Sequence, residues 1–153
     1  MAGREFLTMI EIDAPVARAW DVLTDFADFG EWCPTLRAVA GAAAVGTGLK
    51  LRLAAAPGAD RTLGLSATVR VVDPPKELAW GGGFPGAPWL LDVHHWFRLE
   101  PLASERCRLH HGERFRGLLR PLLWWAIATR VEAGYPAFNL AFKARCEAPR
   151  ESR

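Results

Sequence analysis

The chain has 153 residues, half of them hydrophobic, which is one domain's worth of sequence with enough apolar material for a core. Its 19 basic and 17 acidic residues leave a net charge of only +2, which argues against a nucleic-acid-binding surface. Cys33, Cys107 and Cys146 are odd in number and widely spaced, so neither a disulfide framework nor a metal site is expected, and reduced thiols in a cytoplasmic protein are.

The opening Met-Ala-Gly-Arg-Glu-Phe lacks the apolar run of a secretion signal. The greasiest stretch, Leu122–Ala128, falls far short of the roughly 20 residues a transmembrane helix needs. Phe6 to Ile12 alternates in polarity and predicts the first strand. Asp13-Ala14-Pro15 ends it and starts a helix over Val16–Thr24, with Asp13 as a cap and Pro15 suited to the first turn. A second short helix is expected over Phe26–Trp32 and is stopped by Cys33-Pro34, because the residue before proline avoids helix.

Strands follow: Leu36–Val39, Leu49–Leu53, Thr62–Val72, the segment holding Leu78 and Trp80, Leu91–Glu100, and Leu109–Arg116. In the third of these, Leu63, Leu65, Ala67, Val69 and Val71 share the face expected to point inward. Gly46-Thr47-Gly48, Asp73-Pro74-Pro75-Lys76 and Pro101–Glu105 read as turns. The loops Ala54–Asp60, Gly81–Trp89 and Gly117-Leu118 should share the opposite end of the sheet, where a mouth with a movable lid would sit. A long helix is predicted from about Leu119 to Glu147. Leu122, Trp125, Ala128, Glu132, Tyr135, Asn139, Phe142 and Cys146 mark its inner stripe. Pro136 cannot donate to the carbonyl of Glu132, so a kink is expected there. Hairpin-linked strands followed by a long helix imply an antiparallel sheet with helices packed on one face.

Chemistry concentrates on the last two strands. Val93, His95, Phe97 and Leu99 share one face, as do Leu109, His111, Glu113 and Phe115. Two registers of the hairpin keep those faces: one sets His95 opposite His111, the other sets it opposite Glu113. Either gathers two imidazoles and a carboxylate on the concave face. A His–Glu contact would raise the imidazole pKa and lower that of the carboxyl, whereas burial pushes both the other way. These groups could act as an acid/base pair. Without a nucleophile or metal beside them, a hydrogen-bonded network that fixes register or orients a ligand is the preferred reading. Trp32, Trp80, Phe97, Phe115, Trp125, Phe138 and Phe142 exceed what a small core usually asks for, and with Glu132, Tyr135 and Asn139 they could wall an apolar ligand site. His94 and His110 fall on the outer face.

The chain resembles the START-like helix-grip superfamily, also called SRPBCC or polyketide cyclase/dehydrase and lipid-transport proteins. The resemblance lies in Ile10-Glu11-Ile12-Asp13-Ala14-Pro15, Trp20 and Leu23–Phe26, Glu31-Trp32-Cys33-Pro34, Leu78-Ala79-Trp80-Gly81, His95–Pro101, His111–Gly117, and Phe138-Asn139 with Phe142-Lys143. It spans about Phe6 to Glu147. It implies an α+β fold: a seven-stranded antiparallel sheet gripping a long C-terminal helix, with two short helices between strands 1 and 2. Residues 1–153 then form one such domain, with a core of about 5–147 and a polar tail over 148–153. The family pattern differs at Cys33, where a polar residue is common, and at the heavy pair Trp124-Trp125.

The expected function is that of a small-molecule binding protein enclosing an apolar, aromatic or lipid-like ligand between sheet and helix. Trp32, Leu36, Trp80, Phe84, His95, Phe97, His111, Glu113, Phe115, Trp125, Tyr135, Phe138, Asn139 and Phe142 are the ligand-contacting candidates, and Phe84 sits on the gate loop. The alternative is a cyclase/dehydratase-like enzyme in which His95, His111 and Glu113 transfer protons. A third reading docks Leu118–Ala128 on a membrane or partner, with Leu123 or Trp124 exposed. No cofactor is implied; a monomer or homodimer, with peripheral membrane contact, is compatible with the pattern.

Overall fold

The computed structural model describes residues 3–150. Residues 151–153 of the expected polar tail lie outside the described residues. Strand β1 (Arg4–Ile12) leads into α1 (Val16–Thr24). A single 3-10 turn (Phe26–Asp28) then runs into α2 (Phe29–Trp32). Six strands follow: β2 (Leu36–Ala40), β3 (Gly48–Ala54), β4 (Thr62–Asp73), β5 (Glu77–Gly83), β6 (Asp92–Ala103) and β7 (Arg106–Arg116). Helix α3 (Arg120–Glu147) closes the chain and continues unbroken past Pro136. The strands form one antiparallel sheet in the order β1-β7-β6-β5-β4-β3-β2. Each neighbour pair from β2 to β7 is a hairpin, so the sheet grows by local pairing and only β1 is brought in from a distance.

Asp13 does not cap α1: its N–H donates to Glu147 Oε1 at 2.8 Å, tying the end of β1 to the end of α3. Cys33 takes on a polar role after all, its Sγ accepting the N–H of Leu36 at 3.3 Å just past the end of α2.

The principal core lies between the concave face of the sheet and the helices. Ile12, Leu23, Phe29, Leu78, Phe97, Leu109 and Phe142 are fully buried there. Burial of each such side chain is worth about 1.5–3 kcal/mol, so this one-sided face accounts for the packing of all three helices against the same side. Helix α3 packs chiefly on β1, β7, α1 and α2. A second, smaller cluster joins Phe115, Val131 and Tyr135 to Phe6 and Trp124, the last two stacked at 5.2 Å.

Two expectations about burial fail for identifiable reasons. Leu63 and Leu65 share a face with Ala67 and Val69 but lie toward the free end of the β3–β4 hairpin, beyond the helices, and are exposed. A β-bulge between Val69 and Val71 shifts the alternation by one, so Val72 rather than Val71 packs on the core. The convex face carries ion pairs instead of a core: Arg70–Asp92, Arg98–Glu77, Arg114–Glu5, and Glu11 with Arg106 and Arg108. Trp96 is the exception on that side. It is buried over Gly112, where an added Cβ would stand 2.3 Å from its ring, and Arg98 lies over it.

Candidate functional site

The β6–β7 register sets His95 opposite Glu113 and Phe97 opposite His111. Of the two registers compatible with the sequence pattern, this is the slipped one. The imidazoles therefore meet diagonally rather than directly across, with Nε2 to Nε2 at 2.7 Å. Long side chains can span such a diagonal. The rings of His95, His111 and Tyr135 lie within 12° of parallel, His111 and Tyr135 with centroids 4.1 Å apart. Trp80, Phe97 and Phe138 frame the stack.

One direction of hydrogen bonding runs through the cluster. Thr8 Oγ1 donates to the carbonyl of His111 at 3.1 Å and accepts from Asn139 Nδ2 at 2.9 Å. That leaves Asn139 Oδ1 facing His111 Nδ1 at 2.9 Å, so Nδ1 carries the proton and donates. His111 Nε2 is then a lone-pair acceptor, and His95 Nε2–H donates to it. His95 Nδ1 is left as a free acceptor. Opposite it, Tyr135 Oη donates to Glu113 Oε2 at 2.5 Å.

Burial dominates the electrostatics. It pushes His111 down to about 4, against the raising effect of Asn139, and it holds His95 well below its ordinary value, with His111 adding to the effect. Glu113 is pushed up to about 7 by burial, only partly offset by the Tyr135 hydrogen bond. At neutral pH the cluster thus holds two uncharged imidazoles and a carboxyl poised between its two forms. Of the two opposing effects weighed from the sequence, desolvation prevails at all three groups.

The cluster remains reachable. Among the described residues, the buried side-chain nitrogen and oxygen atoms without a partner are Trp32 Nε1 and Trp96 Nε1. His95 and Glu113 are half-buried, and His95 Nδ1 and Glu113 Oε1 have no hydrogen-bond partner among the described residues. A ligand donor could meet either atom.

The remaining candidates divide sharply. Leu36, Trp80, Phe97, Phe115, Phe138 and Phe142 are buried core residues, and Trp32 packs among Phe29, Phe138 and Phe142. The rings of Trp32, Phe138 and Phe142 pack on one another under the C-terminal half of α3. On the concave face of β3–β4, Leu49, Leu51, Ala67 and Val69 are buried, and Leu63 and Leu65, nearer the loop, are exposed. Two open hollows, of about 320 and 390 Å³, lie near Asp13 and Arg18, and beside Lys50, Leu65 and Ser66; neither touches the imidazoles.

Phe84 stands exposed on the β5–β6 loop. Trp125 is a correction: it points to solvent, 75% exposed, as does Glu132. The inner stripe at the start of α3 is Trp124, Ile127 and Val131, one position out of phase with the expected one. Leu123 and Trp124, expected to be exposed if this segment docks, are half-buried. Thr8 was missed as a site residue, although it is the polar member of β1's inward-facing positions.

Comparison with solved structures finds the same fold at low identity. The Zhui aromatase/cyclase from Streptomyces matches with a TM-score of 0.76 and 18% identity, over 95% of this chain and 94% of that one. A truncated norcoclaurine synthase from Thalictrum flavum matches with a TM-score of 0.69 and 12% identity, over 97% and 96%. A structural-genomics protein from Mesorhizobium loti matches with a TM-score of 0.67 and 23% identity, over 93% and 96%. A comparison with curated proteins gives no match. No helix among the described residues is long and apolar enough to cross a membrane. The family model for polyketide cyclase / dehydrase and lipid transport proteins matches residues 5–147, the whole span from the first strand to the end of α3, and the chain belongs to that family.

Proposed function

We propose that the protein binds an apolar, hydroxylated aromatic small molecule on the concave face of its sheet, against the His95–His111–Tyr135 stack. The observation that carries this reading is the pair of unpartnered atoms on half-buried side chains, His95 Nδ1 and Glu113 Oε1, set in an otherwise aromatic surround. The exposed Leu63 and Leu65 offer apolar area on the same face. A phenolic hydroxyl would satisfy one acceptor while its ring lies against the stack. A site that hydrogen-bonds a hydroxyl discriminates strongly against the analogue lacking it.

A second reading is favoured by Glu113. A carboxyl poised near neutrality can give or take a proton at physiological pH. A cyclase or dehydratase would use His95 Nδ1 to accept a proton from carbon beside a carbonyl and Glu113 to return one to the departing oxygen. His111, Asn139 and Thr8 would hold the tautomer of His95. The matching aromatase/cyclase supports this chemistry by analogy of fold.

A fluorescence titration with naphthol, and naphthalene as the hydroxyl-free control, tests the binding reading. Naphthol should bind about tenfold more tightly, the weight of one good hydrogen bond to a half-buried acceptor. Equal affinities, or no binding of either, would remove the reading. For the enzymatic reading, His95→Phe should abolish turnover of a polyketide-like substrate while naphthalene binding survives.

A further inference from the structure

The first turns of α3 carry a feature the site does not use. Leu118, Leu122 and Trp125 are 55%, 71% and 75% exposed; Leu122 and Trp125 share the outward face of α3, and Leu118 stands in the turn just before it. Trp89, 61% exposed, is brought beside them by the hydrogen bonds Leu118 N–H to Trp89 O at 3.0 Å and Leu119 N–H to Leu90 O at 2.9 Å. Two indoles and two leucines thus stand free at one end of the molecule. Isolated exposed apolar residues are ordinary; a contiguous group of this size marks a contact surface.

Along the sequence from Arg116 to Val131 the charge has one sign; the exposed Glu132 follows it, and Asp92 stands across from Arg116. Residues 116–131 contain Arg116, Arg120 and Arg130 and not one Asp or Glu. Arg4 lies over the Trp124 ring at 4.5 Å, on the same end. Arg4, Arg116 and Arg130 are exposed and take part in no ion pair among the described residues. Elsewhere on the convex face arginines are matched by carboxylates strand by strand. A second copy of the chain seated on this patch by two-fold symmetry would bring these arginines against themselves. Trp and Leu flanked by unmatched Arg match the interfacial region of a bilayer with anionic headgroups, where indoles sit at headgroup level and each nearby cation adds attraction.

We propose that Trp89, Leu118, Leu122 and Trp125 form a peripheral docking surface for anionic lipid bilayers. Docking would place the β5–β6 loop, with Phe84, and the start of α3 at the lipid surface. This inference stands on the exposed patch and its charge, independently of what the imidazole site binds.

Co-sedimentation of the full chain with phosphatidylcholine vesicles, with and without phosphatidylglycerol, tests it. The parent should pellet with the anionic vesicles, more weakly with neutral ones, and be released as salt rises. Leu122→Ser combined with Trp125→Ser should weaken anionic-vesicle binding at least tenfold with thermal stability unchanged, since both side chains already face solvent. Arg116→Glu with Arg130→Glu should lower binding to the anionic vesicles to the neutral-vesicle level. Failure of the parent to pellet, or full binding by the serine variant, overturns the proposal. So does concentration-dependent dimerisation of the parent in sedimentation velocity that the serine substitutions abolish, since it would make a second copy the occupant.

Discussion

At the residue scale the decisive group is Glu113. Its carboxyl sits near 7 when folded, against an ordinary value of 4.5, so between those values the folded chain holds more protons than the unfolded one. Stability therefore falls as pH rises through that window and levels off above it. Glu113→Gln keeps an acceptor for Tyr135 and removes the titration. The melting temperature of the variant relative to the parent should climb from about pH 4.5 to about pH 7 and then stay flat. His111 titrates in both proteins, so its own loss of stability on acidification, as pH falls from 6.5 toward about 4, cancels in the difference. A difference independent of pH would mean that Glu113 is solvated. The inward placement of His95, His111 and Glu113 was legible because strand alternation has a period of two. Their hydrogen-bond partners were not, because pairing of Glu113 with Tyr135 rather than His95 depends on where a distant helix lays its side chains.

At the element scale, α3 shows where periodicity runs out. Its second half was legible: Tyr135, Asn139, Phe142 and Cys146 are buried as the three- and four-residue spacing requires. Its first half was not. Leu122, Leu123, Trp124, Trp125 and Ile127 make that segment apolar nearly all round, so two stripes fit equally well. Stacking of Trp124 on Phe6, a contact from the other end of the chain, selects the inner one. In β4 the alternation was legible up to Val69, and the bulge beyond it was not. Phe138 joins the halves of the account: it touches Phe97 and His111 on the sheet and Trp32 on α2. Phe138→Ala should cost about 3–5 kcal/mol in urea unfolding, the range for deleting a buried ring. A loss below about 1 kcal/mol would mean that the space under α3 is not tightly filled.

At the scale of the whole molecule, the strand order and the embrace of α3 were legible because successive hairpins leave little topological choice and the family pattern covers the chain. The state of the interior was not legible. Rings that could line a hollow can also fill one, and nothing local in a sequence separates the two. Here rings pack on one another under the C-terminal half of α3, and the polar cluster shares the concave face of the sheet with the exposed Leu63 and Leu65. Native mass spectrometry of the freshly purified chain tests the central claim most directly. The account predicts a one-to-one adduct, carried from the expressing cell or formed on addition of naphthol, that leaves on denaturation and is lost with His95→Phe combined with Glu113→Leu. A parent that flies at its bare mass both before and after naphthol is added, or an adduct that the double variant retains, would contradict it.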